Sequence, residues 1–135
     1  MSSRILREAF SELLASREEV WAFLAEPYHL ADWWPGITGV EPDRRGFAPG
    51  ARWKVHASKW NLFTGRRNIE TMLVVRDVEP YERWSFHVVG TKLDAEVRLR
   101  SVGPDRTLVT VAADREKPER AVGRLYELLQ TAATM

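Results

Sequence analysis

Two alternating runs of residues on either side of one turn constrain the fold of this chain most strongly. Residues 82–101, "ERWSFHVVGTKLDAEVRLRS", alternate apolar and polar side chains before and after Gly90-Thr91. Strict alternation is typical of a half-buried β-strand, and glycine in the first position of a two-residue loop favours a type II′ turn. Such a turn predicts these pairs on one face: Val88 with Leu93, Phe86 with Ala95, and Trp84 with Val97. Since all the apolar side chains then share a face, we predict an antiparallel hairpin in this register.

Other segments of the chain carry strand patterns and are separated by turn residues. They are residues 37–42, 50–58, 66–80 and 107–114. Counting back from a turn at Pro80-Tyr81 gives the inward set of the third segment as Ile69, Thr71, Leu73 and Val75, with Arg67 near its start. Short alternating strands of this kind predict an antiparallel sheet with one apolar face and one wet face.

Helical patterns precede and follow these strands. Ser16 and Glu19 form a capping-box pattern, which predicts a helix over residues 16–24, and residues 28–34 have the pattern of a second short helix. Near the C-terminal end, Pro118 suits a first helical turn. Apolar residues at helical spacing follow it: Ala121, Val122, Leu125, Leu128, Leu129 and Ala132. We predict a long terminal helix whose apolar stripe covers the sheet.

Two adjacent tryptophans, Trp33 and Trp34, are the last residues of the second helical segment in "HLADWWPGITGVE". Neighbouring side chains on a regular element do not point the same way, so the two indoles must contact different surfaces. A buried indole also needs a hydrogen-bond partner for its N–H group. We interpret the doublet as one wall of a hydrophobic pocket.

Composition argues against several classes of protein. The chain has 135 residues, which suit one domain over residues 1–135, and it has no cysteine, which excludes disulfides and cysteine metal sites. A net charge of +1 argues against a dedicated nucleic-acid binder. No apolar run approaches the roughly 20 residues that cross a membrane, and the first residues do not have the pattern of a signal peptide. We expect a cytoplasmic protein without stable membrane insertion.

The order of these segments resembles the START-like superfamily, also called SRPBCC. The resemblance rests on "SREEVWAFLAEP", "LADWWPGI", "GARWKV", "VVRDVEPYERWSF" and the amphipathic terminal helix. More narrowly, the chain is similar to the polyketide cyclase/dehydrase and lipid-transport branch. The resemblance implies an α+β helix-grip fold, in which a curved seven-stranded antiparallel sheet wraps around the long C-terminal helix. It places two short helices between strands 1 and 2, and it makes residues 4–14 the first strand although their propensity favours helix.

The resemblance further implies a cavity between the sheet and the terminal helix. One indole of the tryptophan doublet would pack in the core, and the other, Trp34 in our assignment, would approach the cavity. The expected lining is Trp34, Trp53, Val55, Thr71, Leu73, Trp84, Phe86, Leu93, Val97, Thr110, Leu125 and Leu129. Gly123, inside the terminal helix, would either leave room for a ligand or allow close packing of helix against sheet.

Residues 58–66 depart from the family pattern, because Trp60, Leu62 and Phe63 fall in a predicted loop. Exposed apolar clusters usually mark an interface or a ligand entrance. We predict an entrance loop or an interface here. The alternative is that the loop folds back and buries these side chains.

No catalytic or metal-binding motif is visible in the sequence. His56 and His87 are expected to face solvent and have no third ligand at useful spacing, so neither a metal nor a cofactor is expected. The tentative acid–base groups are Arg67 and Tyr126, with Tyr81 as a weaker candidate. A buried Arg67 would need a partner such as a ligand carboxylate or phenolate, whereas at a strand end its guanidinium would reach water.

These observations favour a protein that binds or carries a hydrophobic small molecule, such as a lipid, a polyketide or an aromatic metabolite. Burial of the ligand would contribute about 25 cal/mol per Å² of apolar surface. The alternative implied by the resemblance is an enzyme of the aromatase/cyclase kind, which needs an acid–base group beside bound carbonyls. A further alternative is a protein-interaction module that uses the 58–66 loop. Whether the chain forms a homodimer stays open.

Overall fold

The computed structural model describes residues 6–63, 65–114 and 118–134. The elements follow in the predicted order of one strand, short helices, six strands and a long helix. Their bounds are β1 (Arg7–Leu13), α1 (Arg17–Leu24), a 3₁₀ turn (Pro27–His29), α2 (Leu30–Trp33), β2 (Ile37–Glu41), β3 (Arg52–Asn61), β4 (Gly65–Glu79), β5 (Arg83–Val88), β6 (Leu93–Gly103), β7 (Arg106–Ala113) and α3 (Pro118–Thr134).

The seven strands form one curved antiparallel sheet in the order β1-β7-β6-β5-β4-β3-β2. The first strand therefore pairs with the last one, and every other strand pairs with its neighbour along the chain. Helix α3 packs against β1, β7 and α2. It therefore lies over the end of the sheet at which β1 pairs with β7. The predicted α+β fold, including a first strand within residues 4–14, is confirmed.

The β5–β6 hairpin has the predicted register, with Val88 opposite Leu93, Phe86 opposite Ala95, and Trp84 opposite Val97. The predicted type II′ turn is wrong, because Gly90 lacks the positive φ that this turn requires and Lys92 has a φ of 56° instead. Glycine is needed at position 90 because the side chain of Thr71 approaches its backbone closely. Its N–H donates to Thr71 Oγ1 at 2.6 Å, and a Cβ at Gly90 would lie 2.5 Å from that same oxygen.

A β-bulge in β4 changes which side chains face inward. Leu73 and Val75 are buried as predicted. The register then shifts between Val75 and Asp77, so that Val78 is opposite Trp84. An extra residue in one strand breaks strict alternation, and here it returns an apolar side chain to the core.

The helices begin where the sequence predicts. Ser16 Oγ accepts a hydrogen bond from the Glu19 N–H at 3.2 Å and caps α1, and Pro118 is the first residue of α3. In the α3 stripe, Ala121, Val122, Leu125 and Leu129 are buried. Leu128 is 38% exposed, contrary to its predicted place in the stripe, while the side chain of Ala132 lies outside the described residues.

Gly123 has neither of the two roles expected for it. It is exposed, and no atom lies within 4 Å of a Cβ built at this position. It therefore neither packs closely against the sheet nor leaves room beside a cavity, and we find no structural reason for glycine in this turn of α3.

Most of the predicted 58–66 loop is strand. β3 continues to Asn61 and β4 begins at Gly65, with Trp60 opposite Arg66 in the register. The prediction of a loop is therefore wrong except for the turn at Leu62 and Phe63. A long two-stranded extension satisfies backbone hydrogen bonds that a loop of this length would leave to water.

Candidate ligand pocket

Aromatic side chains fill the middle of the interior. Trp53, Trp84 and Phe86 are each no more than 1% exposed. The ring centroids of Trp53 and Trp84 lie 5.9 Å apart, and those of Trp84 and Phe86 lie 4.7 Å apart. Rings at these separations are in contact and leave no space for a guest between them. These three residues form core instead of a cavity wall, which corrects the expected lining.

Phe47 completes this aromatic cluster, and sequence analysis missed it. Its ring lies 4.7 Å from Trp84 and 5.6 Å from Trp21, although it comes from the loop between β2 and β3. The available signal was a single aromatic residue in the otherwise polar or small "DRRGFAPG". An aromatic side chain in a loop flanked by turn residues can fold back and shield an otherwise exposed side of the core from water.

Asp43 holds that loop in place. Its Oδ1 accepts from the Arg45 N–H at 3.0 Å, and its Oδ2 accepts from the Arg52 N–H at 2.9 Å. These backbone donors, above all that of Arg52, hold the pKa of the Asp43 carboxyl below its ordinary value. Gly46 in the same loop accepts the Trp53 indole N–H at 2.6 Å. The carboxylate thus orders the segment that carries Phe47.

A pocket of about 260 Å³ lies beside the aromatic cluster. Three segments form its walls: the connection between α2 and β2, the middle of β3, and the β5–β6 hairpin. The lining residues are Trp34, Pro35, Gly36, Ile37, Val55, Ala57, Ser58, Val88, Thr91 and Leu93.

The tryptophan doublet separates the pocket from the core. Trp33 is fully buried, and its ring lies 6.3 Å from that of Trp84. Trp34 lines the pocket and packs edge-to-face against Phe86, with centroids 5.3 Å apart. The two indoles are themselves nearly perpendicular at 5.4 Å. The Trp33 indole therefore packs in the core, and the Trp34 indole lines the pocket.

Backbone hydrogen bonds hold the rims of the pocket. The Ser58 N–H donates to Gly36 O at 2.7 Å, which ties the α2–β2 connection to β3. Gly36 has a φ of 88°, a conformation that side chains strongly disfavour. On the opposite rim, the bond from Gly90 to Thr71 fixes the hairpin turn that carries Thr91.

The chemistry of the pocket is apolar with one hydroxyl group. None of the described lining residues carries a titratable side chain. The hydroxyl belongs to Thr91, which has no side-chain hydrogen bond to the described part of the protein. Ser58 follows the inward-facing Ala57 on β3, so its own side chain belongs to the opposite face of the sheet. Such a surface can bury an apolar molecule and orient it through one or two hydrogen bonds.

The structure distributes the other expected lining residues between core and surface. Val55 and Leu93 line the pocket together with Trp34. Core positions are taken by Leu73, Val97, Leu125 and Leu129. Thr71 is half-buried and accepts the Gly90 N–H. Thr110 faces outward, since Val109 and Val111 on either side of it are buried, and its placement in the cavity is wrong.

The tentative acid–base residues lie apart from one another. Arg67 is exposed on β4, and Tyr126 is 41% exposed on α3. Tyr81 occupies the β4–β5 turn, with its ring 6.2 Å from that of Trp21. None of the three is a lining residue of the pocket.

The profile of one protein family, described as Activator of Hsp90 ATPase homolog 1-like protein, matches residues 14–129. The chain belongs to this family. The predicted START-like superfamily is confirmed by the same match, whereas the narrower polyketide cyclase/dehydrase and lipid-transport branch stays a prediction. No relative of curated function matches the sequence.

Solved structures with this fold include other members of the family and superfamily. An AHSA1-like protein from Aeromonas hydrophila is 18% identical, with a TM-score of 0.66 over 96% of each chain. A START superfamily protein from Mycobacterium smegmatis is 18% identical, with a TM-score of 0.60 over 95% of this chain and 93% of that one. Norcoclaurine synthase from Thalictrum is 14% identical, with a TM-score of 0.64 over 98% and 99% of the two chains. At these identities the likeness establishes the fold.

The hairpin tip of this AHSA1-like chain is exposed. Leu62 is 75% exposed and Phe63 is 92% exposed. The alternative in which the loop folds back and buries them is therefore wrong for these two residues, and the side chain of Trp60 lies outside the described ones. Neither Leu62 nor Phe63 lines the pocket.

Two histidines on the sheet pair with carboxylates. His56 Nε2 lies 2.9 Å from Glu41 Oε2, and this hydrogen bond lowers the pKa of Glu41. His87 Nδ1 lies 2.8 Å from Asp94 Oδ1. Within the described ranges, no group of three or more potential ligands is placed to hold a metal ion.

A larger and shallower groove, of about 770 Å³, lies on the outer face of the sheet. Four of its charged side chains pair with one another, in the contacts of Arg98 with Glu8 and of Arg83 with Glu79. The pairing raises the pKa of Arg83, chiefly through Glu79. The groove is open and most of its charged side chains already have partners, so the more enclosed inner pocket is the better candidate site. No helix in the described part of the chain is long and apolar enough to span a membrane.

Proposed function

We propose that this protein binds a small, largely apolar organic molecule in the pocket beside Trp34. The observation that supports the proposal is a recess of about 260 Å³ whose walls are apolar apart from Ser58 and Thr91. Sites for drug-sized ligands have roughly 300–1,000 Å³, while an apolar cavity of about 150 Å³ holds benzene. The volume therefore suits a guest of one or two rings, or a short aliphatic chain.

The expected affinity follows from the area that such a guest can bury. An aromatic body buries about 150–250 Å². At about 25 cal/mol per Å², this gives about 4–6 kcal/mol before the cost of immobilising the guest. Apolar burial alone therefore predicts a weak complex, in the high micromolar to millimolar range.

Binding is favoured over catalysis by what the pocket lacks. An aromatase/cyclase-type reaction needs an acid–base group within hydrogen-bond reach of the bound carbonyls. The described lining residues offer only the Thr91 hydroxyl, and Tyr126 lies exposed on α3. Hydroxyls without an adjacent base can orient a substrate but do not take up its proton at neutral pH.

A direct test fills the pocket with a side chain. Ala57 lines the pocket and is 8% exposed, whereas Ala22 is exposed on α1. Isothermal titration with 2-naphthylmethanol, a neutral two-ring alcohol, should detect binding to the wild type and to Ala22→Met. Ala57→Met should remain folded and lose the binding, because its thioether occupies the recess. No binding to the wild type, or equal binding to both variants, would contradict the proposal.

A second candidate function is interaction with a protein partner through the exposed hairpin tip. The family is named for an activator of the Hsp90 ATPase, and such a partner requires an exposed apolar contact. Leu62 and Phe63 provide one. The ATPase rate of an Hsp90 chaperone, measured with the wild type and with Leu62→Ser/Phe63→Ser, tests this candidate. A rate increase that only the wild type produces would favour it, and no increase with either would exclude it.

A further inference from the structure

Arg67 belongs to the inward face of the sheet, just beyond the pocket. Ala57 lines the pocket, and its register partner on β4 is Ile69. Side chains two positions apart on a strand share a face, so Arg67 follows Ile69 on that face, about 7 Å further along. The side chain of arginine is long enough to bring its guanidinium back across this distance to the rim of the pocket.

Arg67 differs from Arg83, Arg98 and Arg106 on the outer face in having no counter-ion. Arg83, Arg98 and Arg106 each pair with a glutamate. Arg67 is exposed and has neither a hydrogen bond nor an ion pair with the described residues. Its five N–H donors are therefore available to a ligand, whereas those of Arg83, Arg98 and Arg106 are partly used.

The surroundings of Arg67 favour an anion over a cation or a neutral group. Glu70, the acidic residue nearest to Arg67 along β4, pairs with Lys54 at 3.3 Å. Glu70 is an odd number of residues from Arg67, so it belongs to the opposite face of the strand. No acidic side chain lines the pocket among the described residues. Arg67 is therefore a cation without an acidic neighbour on its own face of β4, beside an apolar recess.

We propose that Arg67 selects guests that carry a carboxylate next to a compact apolar body, such as an aromatic carboxylate. The inference depends on the proposed function, since the apolar body must occupy the pocket. A planar guanidinium matches a carboxylate through two parallel hydrogen bonds, a geometry that an ammonium or a hydroxyl does not reproduce. The Thr91 hydroxyl then orients the part of the guest that lies inside.

The test compares two guests of similar size on four proteins. The guests are 2-naphthoate, which is anionic, and 2-naphthylmethanol, which is neutral. The proteins are the wild type, Arg67→Met, Arg67→Lys and Arg76→Met. Arg76 is a matched control, because it is an exposed arginine on the same strand, placed away from the pocket beyond the buried Val75.

The wild type and Arg76→Met should bind 2-naphthoate about tenfold more tightly than the alcohol at low salt, and the preference should shrink as ionic strength rises. Arg67→Met should lose this preference while its affinity for the alcohol stays unchanged. Arg67→Lys should retain part of it, since the charge remains and the fork is lost. Unchanged affinity for the alcohol also shows that each variant is folded.

Each contrary outcome has a separate meaning. If the wild type binds both guests equally, or if Arg67→Met keeps the preference, the role of Arg67 is wrong and the proposed function stands. If neither guest binds to any of the four proteins, the proposed function itself is wrong, and the inference about Arg67 falls with it.

Discussion

The indole N–H of Trp53 donates to the carbonyl oxygen of Gly46 at 2.6 Å, and this bond joins the β2–β3 loop to the aromatic core. Trp84 packs beside Trp53, yet its buried Nε1 has no hydrogen-bond partner among the described residues. Two buried indoles in the same cluster thus differ in one respect, which is whether the N–H group is satisfied.

Replacing each of these tryptophans by phenylalanine should separate the hydrogen bond from the packing. Trp53→Phe and Trp84→Phe remove similar volume from the core, but only the first removes a hydrogen bond. We expect Trp53→Phe to lower the free energy of unfolding by about 1–2 kcal/mol more than Trp84→Phe. Urea denaturation measures both. Equal losses, or a larger loss for Trp84→Phe, would show that the bond from Trp53 to Gly46 contributes nothing.

Two glycines should respond to alanine in opposite directions. Gly123 is an exposed residue inside α3 with open space around it, so Gly123→Ala should stabilise the protein by about 1 kcal/mol through helix propensity. Gly90→Ala should destabilise it, because the added Cβ would displace Thr71 from its hydrogen bond. Thermal unfolding of both variants provides the measurement. A loss of stability in Gly123→Ala would mean that this glycine has a role that the structure does not show.

Asp43 predicts a pH-dependent stability. The pKa of its carboxyl is lowered in the folded protein from an ordinary 3.8, so the ionised form stabilises the fold. This contribution is complete above the ordinary value and is lost as pH falls through the lower, folded one. Asp43→Asn should therefore melt at a lower temperature than the wild type near neutral pH, and the difference should narrow as pH falls below about 4. A difference that stays constant across this range would contradict the assignment.

The exposed tip of the β3–β4 hairpin should be replaceable without loss of stability. Leu62 and Phe63 are largely in water in the folded protein, so Leu62→Ser/Phe63→Ser should change the free energy of unfolding by less than about 0.5 kcal/mol. Binding of 2-naphthylmethanol should also be unchanged, since neither residue lines the pocket. Weaker uptake of the alcohol by the double variant would restore the interpretation of this segment as a ligand entrance.

The fold could be predicted from the sequence because local patterns and pairing agree. The alternation around Gly90 and the coincidence of apolar faces specified the β5–β6 register, which the structure reproduces. The turn itself could not be predicted, since two turn types satisfy the same composition, and in the structure Lys92 has the positive φ and Gly90 does not. Similarly, periodicity does not show the bulge after Val75 that brings Val78 inward.

The site was harder to predict than the fold, because a cavity is the space that side chains leave unfilled and depends on how all of them pack together. The sequence indicates that Trp53, Trp84 and Phe86 face inward, but it does not indicate that their rings meet and close the centre. Phe47 belongs to a loop whose position depends on the hydrogen bonds of Asp43. Loops have no hydrophobic periodicity, so the sequence pattern does not reveal that Phe47 reaches the core. What remains is the end of the interior beside Trp34, where small residues such as Ala57 and Gly36 leave space.

The central claim is that the recess beside Trp34 receives an apolar guest, and methyl NMR tests it most directly. With the alanine, valine and leucine methyl groups labelled, 2-naphthylmethanol should shift the signals of Ala57, Val55 and Leu93, which line the pocket. The signal of Leu108, in the outer groove, should not move. Saturable shifts confined to the pocket methyls are the predicted result. Shifts at Leu108 alone, or none at the pocket methyls at saturating alcohol, would contradict the account.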